Sequence, residues 1–164
     1  MMSHKTPEPF HIVLYKPEIP YNTGNIIRLC ANTGSTLHLI RPIGFEMEES
    51  RLKRAALDYS DLAIVTEYEH LDTYLSTHSQ RRIFVASSRN KREYTDPKYT
   101  EGDSFLFGPE SAGLPDAVIE RFSSEGRIRI PMMPSNRSLN LANAVAVVIY
   151  EAWRQIGFSG KDIV

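Results

Sequence analysis

An α/β domain built on a largely parallel sheet is the fold class this sequence predicts, and three observations predict it. Short β-rich runs alternate with helical stretches along the whole chain. The 164 residues are 41% hydrophobic and 24% charged, the profile of one globular domain rather than a fibre or a disordered tail. No repeat, low-complexity tract or long linker divides them, so residues 1–164 read as a single domain in which residues 1–9 form a flexible N-terminal extension.

Six runs bounded by Pro, Gly, Asp or Ser read as strands: Phe10–Tyr15, Thr36–Ile40, Leu62–Tyr68, Arg82–Ser87, Ser104–Gly108 and Arg127–Pro131. Helices are expected between them at Thr23–Asn32, with Asn22 or Thr23 as its cap, and at Ser50–Tyr59, His70–Thr77 and Pro115–Phe122. The last helix, Ser138–Ile156, has Ser138 as its expected cap. Its residues Ala142, Val145, Ala146, Ile149, Ala152, Trp153 and Ile156 lay one apolar stripe along it, and Gly157 ends it. A second, partly polar stripe runs through Asn140, Asn143, Val147, Tyr150 and Arg154.

Several kinds of chemistry drop out. No GxGxxG, P-loop, GxSxG or HExxH pattern occurs, which removes dinucleotide, nucleotide, serine-hydrolase and zinc-protease readings. The lone Cys30 reads as a small core residue and forbids an internal disulfide, which suits a reducing compartment. His11 and His38 fall in strands and read as packed, hydrogen-bonded residues, and no metal site is expected. Nothing approaches the roughly 18 apolar residues of a membrane span, and the start lacks a secretory signal, so the expected location is cytoplasmic. Lys plus Arg is 19 against 20 for Asp plus Glu, a net charge of −1, which argues against nonspecific coating of nucleic acid. Positive charge is nevertheless clustered at Arg51, Lys53 and Arg54, at Arg81, Arg82, Arg89, Lys91 and Arg92, and at Arg127, Arg129 and Arg137, so a local footprint on RNA stays open.

Three segments carry the chemistry. In NTGNIIRLCANTG (22–34), a helix start turns backbone N–H groups toward any anion, and Arg28 follows about one turn on. In FGPESAGLP (107–115), two glycines and two prolines within nine residues specify a tight path after a buried strand, with Gly108 allowing close approach to the main chain and Glu110 supplying a carboxylate. In IPMMPSNRSLNLANA (130–144), a shaped loop runs into the last helix. In this order, and over nearly the whole chain, the segments resemble the three motifs of the SpoU (SPOUT) class of RNA methyltransferases, most closely the TrmL/YibK group, which methylates the wobble ribose 2′-oxygen of leucine tRNAs.

The resemblance implies a deep trefoil knot in the C-terminal part and S-adenosylmethionine as cofactor. By matching positions, Ala86, Gly108, Ile130 and Ser138 would contact the cofactor, with Met132 and Leu139 close by. It also implies a homodimer whose partner chain completes each site, joined through the first and last helices, and a tRNA anticodon stem-loop as substrate. Arg28 matches the family's candidate catalytic residue and Tyr150 a tyrosine the subgroup relies on. A guanidinium with a pKa above about 12 is no base, so Arg28 is cast as a phosphate binder that stabilises alkoxide charge, and Tyr150 as a group that orders the nucleotide or relays its proton. Glu110 and Asn140 would organise the two loops. One departure stands out: Ala112 replaces an arginine common in the second motif, with Arg89, Lys91 and Arg92 as candidate replacements. Another tRNA or rRNA position, and an RNA-binding module without activity, remain as alternative readings.

Overall fold

The computed structural model describes residues 9–47 and 65–161. The expected helix Ser50–Tyr59, the start of the strand at Leu62–Ile64, the Arg51, Lys53 and Arg54 cluster and most of the N-terminal extension lie outside these residues.

Seven strands form one sheet: β1 (Phe10–Tyr15), β2 (Thr36–Ile40), β3 (Val65–Tyr68), β4 (Ile83–Ala86), β5 (Arg92–Glu93), β6 (Asp103–Phe107) and β7 (Arg127–Arg129). Their order is β3-β2-β1-β6-β4-β7-β5, and every pairing is parallel. The expected sheet is therefore present with one strand more than the six read from sequence. β5 is only two residues long, too short for an alternation pattern to reveal, and it holds the edge through β7 and the Glu93–Arg129 ion pair at 2.7 Å.

Four helices are described: α1 (Pro20–Thr33), α2 (Leu71–Thr77), α3 (Asp116–Ile119) and α4 (Leu141–Gln155). Strand alternation sorts the core into two layers. Phe10, Ile12, Leu14, Leu37, Leu39, Phe105 and Phe107 pack with Ile26, Ile27 and Cys30 of α1 and Val145, Val148, Ile149 and Ala152 of α4. Val13, Ile40, Val85 and Leu106 face Leu71 and Tyr74 of α2 and Val118 and Ile119 of α3. Cys30 is fully buried, and burial pushes its thiol up to about 12, as befits a core residue.

Two expected caps are corrected. The N-cap of α1 is Ile19, with Pro20 in the first turn and no side-chain cap, while Asn22 and Thr23 are buried inside the helix. The N-cap of α4 is Asn140, whose side chain accepts from the Asn143 amide at 3.2 Å; Ser138 lies upstream in the exposed loop. The second stripe of α4 is exposed as expected, and Gly157 leaves the helix at φ 72°.

His11 and His38 are indeed buried and hydrogen-bonded. Their rings lie 3.1 Å apart at Nδ1 and Nε2, Thr36 Oγ1 sits 2.5 Å from His11, and a chain continues through the Tyr68 hydroxyl to His78. Burial, with Arg81 and His78 nearby, lowers His11 to about 4; burial, His11, Arg81 and His78 lower His38 to about 3. The unfolded chain takes up these protons near pH 6.5 and the folded chain resists them. Their contribution to stability is therefore full above about pH 6.5 and is lost as pH drops from there toward 4 for His11 and 3 for His38. Urea melts should show a lower midpoint at about pH 5 than at about pH 7.5, and a smaller difference in His38→Gln.

Candidate active site

The three chemical segments meet at the carboxyl ends of β4, β6 and β7, where open parallel sheets place ligands. A cleft of about 460 Å³ opens there, lined by Ala86 at the end of β4, Gly108 just past β6, Ile130 just past β7, and Ser138 with Met132 and Leu139 from the loop before α4. All four residues matched to cofactor contacts thus come together from three separate stretches of chain. A wider cleft of about 1370 Å³, bounded by Lys16, Arg41, Glu67 and Arg121, contains none of them.

The residue that joins the three segments is Asn22, which is buried. Its Nδ2 donates to Glu110 Oε1 at 3.5 Å, and its Oδ1 accepts from Asn140 Nδ2 at 3.0 Å. Glu110 also accepts from the Glu18 and Ile19 amides at 2.7 and 3.1 Å, placing a carboxylate at the start of α1, where the helix dipole favours it. The carboxylate thus holds the N-cap amide and the one before it, while Asn22 and Thr23 lie inside the helix. The usable signal was Pro20: proline favours the first helical position, which would have moved the cap back to Ile19. Asn140 both caps α4 and reaches Asn22. Asn140→Ala should lower stability by about 1–2 kcal/mol, read as a thermal-melt shift.

Gly108 lines the cleft and is also required by the path of its own loop. A Cβ there would lie 2.2 Å from the Leu114 nitrogen and 2.4 Å from the Gly113 carbonyl carbon. The glycine lets the loop fold back on itself, and Gly113 completes the turn at φ 67°.

Arg28 and Tyr150 do not line this cleft. Arg28 is exposed on α1, and Tyr150 is 43% exposed on α4, its ring edge-on to Trp153. The two helices pack side by side, and Tyr21, Val147 and Tyr150 leave apolar surface open near that seam.

Several expected cationic clusters are held by neighbours. Arg82 makes two hydrogen bonds to the buried Asp103, at 2.9 and 2.7 Å, and Arg129 pairs with Glu93. Arg92 donates to the Glu125 carbonyl and Arg127 to the Phe122 carbonyl. Of the candidate replacements for the missing arginine, Arg89 lies against the right loop: it lines the cleft, donates to the Leu114 carbonyl and pairs with Asp116 at 3.2 Å. Among the described residues, no group of three or more His, Cys, Asp and Glu is placed to hold a metal, and no helix is long and apolar enough to cross a membrane.

Known proteins resemble this chain in sequence and fold. A protein from Aeromonas hydrophila subsp. hydrophila named tRNA (cytidine(34)-2′-O)-methyltransferase is 52% identical over 150 residues, 92% of this chain and 96% of that protein. A solved structure described as giving insights into 2-OH methylation of C/U34 on tRNA superposes with TM-score 0.85 at 44% identity, covering 90% of this chain and 96% of its own. The SpoU methyltransferase AviRb from Streptomyces viridochromogenes, in complex with the cofactor AdoMet, shares the fold at TM-score 0.78 and 22% identity, covering 94% of this chain and 60% of its own. The SpoU rRNA Methylase pattern matches residues 9–150, a span that takes in all three cleft-forming segments, and the chain belongs to that family.

Proposed function

We propose that this chain transfers a methyl group from S-adenosylmethionine to the ribose 2′-oxygen of the wobble nucleotide, C or U at position 34, of leucine tRNAs. The observation that carries this reading is the convergence of Ala86, Gly108, Ile130 and Ser138 on one cleft. The cleft fits the cofactor. Its volume of about 460 Å³ lies within the range of small-molecule sites, with apolar walls from Phe107, Ile130, Leu141 and Ala144 and polar groups from Asn22, Ser138 and Asn140.

When bound, S-adenosylmethionine supplies a methyl group already activated by its sulfonium. The protein's task is to align the ribose hydroxyl, a poor nucleophile, and to manage its proton. Arg28 binds the adjacent phosphate and stabilises alkoxide charge; Tyr150 orders the nucleotide or relays the proton. Both lie outside their own cleft, which supports a homodimer joined across α1 and α4, in which each chain's Arg28 and Tyr150 serve the partner's site.

The anticodon stem-loop is the RNA element engaged, the enzyme is cytoplasmic, and residues 1–164 act as one domain. The C-terminal part is read as a trefoil knot, one of the exceptions to unknotted topology. Gln155, at the end of α4, accepts from the Tyr99 amide at 2.9 Å and donates to the Pro97 carbonyl at 3.1 Å, tying the helix to the stretch before β6.

Nucleoside mass spectrometry of tRNA from a deletion strain tests the substrate. Loss of 2′-O-methylation at position 34 of leucine tRNAs is expected; intact methylation there with loss at another position would reassign it.

A further inference from the structure

We infer that Glu18 is a positioning residue that locks the cofactor loop to the helix bearing Arg28. The inference rests on the methyl-transfer reading above. Pro109 to Gly113 form one wall of the cleft. Glu18, in the turn between β1 and α1, holds that wall by its side chain: its Oε1 accepts from the Ser111 hydroxyl at 2.7 Å and from the Ser111 amide at 3.4 Å. The same wall holds Glu18 by its main chain, through the Glu110 carboxylate on the Glu18 and Ile19 amides. The two carboxylates thus form a reciprocal clasp, each from one segment gripping the other.

The clasp is braced from behind. The Gly44 amide donates to the Pro17 carbonyl at 2.9 Å, and a Cβ on Gly44 would sit 3.0 Å from Glu18 Cα, so the loop after β2 closes against the Glu18 backbone. The Glu18 main chain is therefore held in place, and its side chain reaches Ser111 from a fixed backbone position. Two residues after Glu18, Pro20 starts α1, and Arg28 follows about two helical turns later. An ordered cofactor loop and a correctly set Arg28 helix are in this way one mechanical unit.

Glu18 is not itself part of the cleft lining and acts only through the lining residues Ser111 and Glu110, so its role is read through the cofactor loop. The test is calorimetry of the full chain with S-adenosylmethionine. Losing both hydrogen bonds in Glu18→Ala should weaken cofactor affinity about 5- to 10-fold. Glu18→Gln keeps an acceptor for the Ser111 hydroxyl and should restore affinity to within about twofold. Ser111→Ala should also weaken it, and the double variant Glu18→Ala with Ser111→Ala should be no weaker than Glu18→Ala alone. Ser111→Ala removes only a hydroxyl, so it and Glu18→Gln carry the test if Glu18→Ala does not fold. Wild-type binding with unchanged affinity in Glu18→Ala and Ser111→Ala overturns this proposal alone. So does weakened affinity that Glu18→Gln leaves unrestored and that tracks a lowered melting temperature. Absence of binding by the wild type overturns the cofactor reading and this proposal with it.

Discussion

Arg28→Ala is expected to lower methyl-transfer turnover by about 10²- to 10³-fold while leaving S-adenosylmethionine affinity within about twofold of wild type. The two halves of this result have separate causes. Arg28 is exposed on α1 and absent from the cleft lining, so its loss removes nothing that holds the cofactor. A guanidinium stays protonated at any working pH, so what it offers is fixed positive charge and a planar fork for phosphate oxygens and a developing alkoxide. Arg28→Lys, which keeps the charge and loses the fork, should recover part of the activity. Single-turnover rates together with cofactor titrations separate the two halves, and full activity in Arg28→Ala would remove the residue from the mechanism.

Gly108→Ala is expected to be strongly damaging for a change of one methyl group. The added Cβ would meet the Leu114 nitrogen at 2.2 Å and the Gly113 carbonyl carbon at 2.4 Å. Both are backbone atoms within one turn, so relief requires the whole Phe107–Pro115 path to open rather than one side chain to rotate. A loss of about 2–4 kcal/mol in stability and at least about tenfold in cofactor affinity should follow. Thermal melts and calorimetry read the two effects. Unchanged values in both would mean that the loop has slack its contacts do not suggest.

The two glycine and arginine cases show where reading the sequence works and where it stops. Short β-rich runs at Phe10–Tyr15, Thr36–Ile40 and Ser104–Gly108 placed the central strands because burial on both faces of a parallel sheet demands runs of this kind. The four cleft residues were identified from motif resemblance, and folding brings them together. The caps were misread because propensity is local: Asn22 is a good cap by type, yet Pro20 starts the helix ahead of it, and Asn22 instead bridges Glu110 and Asn140 from inside the helix. That Gly108 is also needed for its loop to fold back on itself was not legible, because a linear motif cannot show a loop touching itself. Arg82 and Arg129 looked available for RNA because the partners that neutralise them, Asp103 and Glu93, sit in other strands. Pairing across a sheet is invisible to a count of neighbouring charges.

The strand order also governs how the chain must assemble. β1 lies between β2 and β6, and Phe10 sits beside Asp103, so the seam at the middle of the sheet joins stretches 93 positions apart. No turn can close such a seam locally, and its formation costs the entropy of a long loop before any contact rewards it. During synthesis the N-terminal strands must wait with one edge of β1 unpaired until Phe107 has left the ribosome. The cleft, built from the last strands and the final helix, is then among the last features to form, and a truncated chain exposes an apolar seam where the finished protein has its centre.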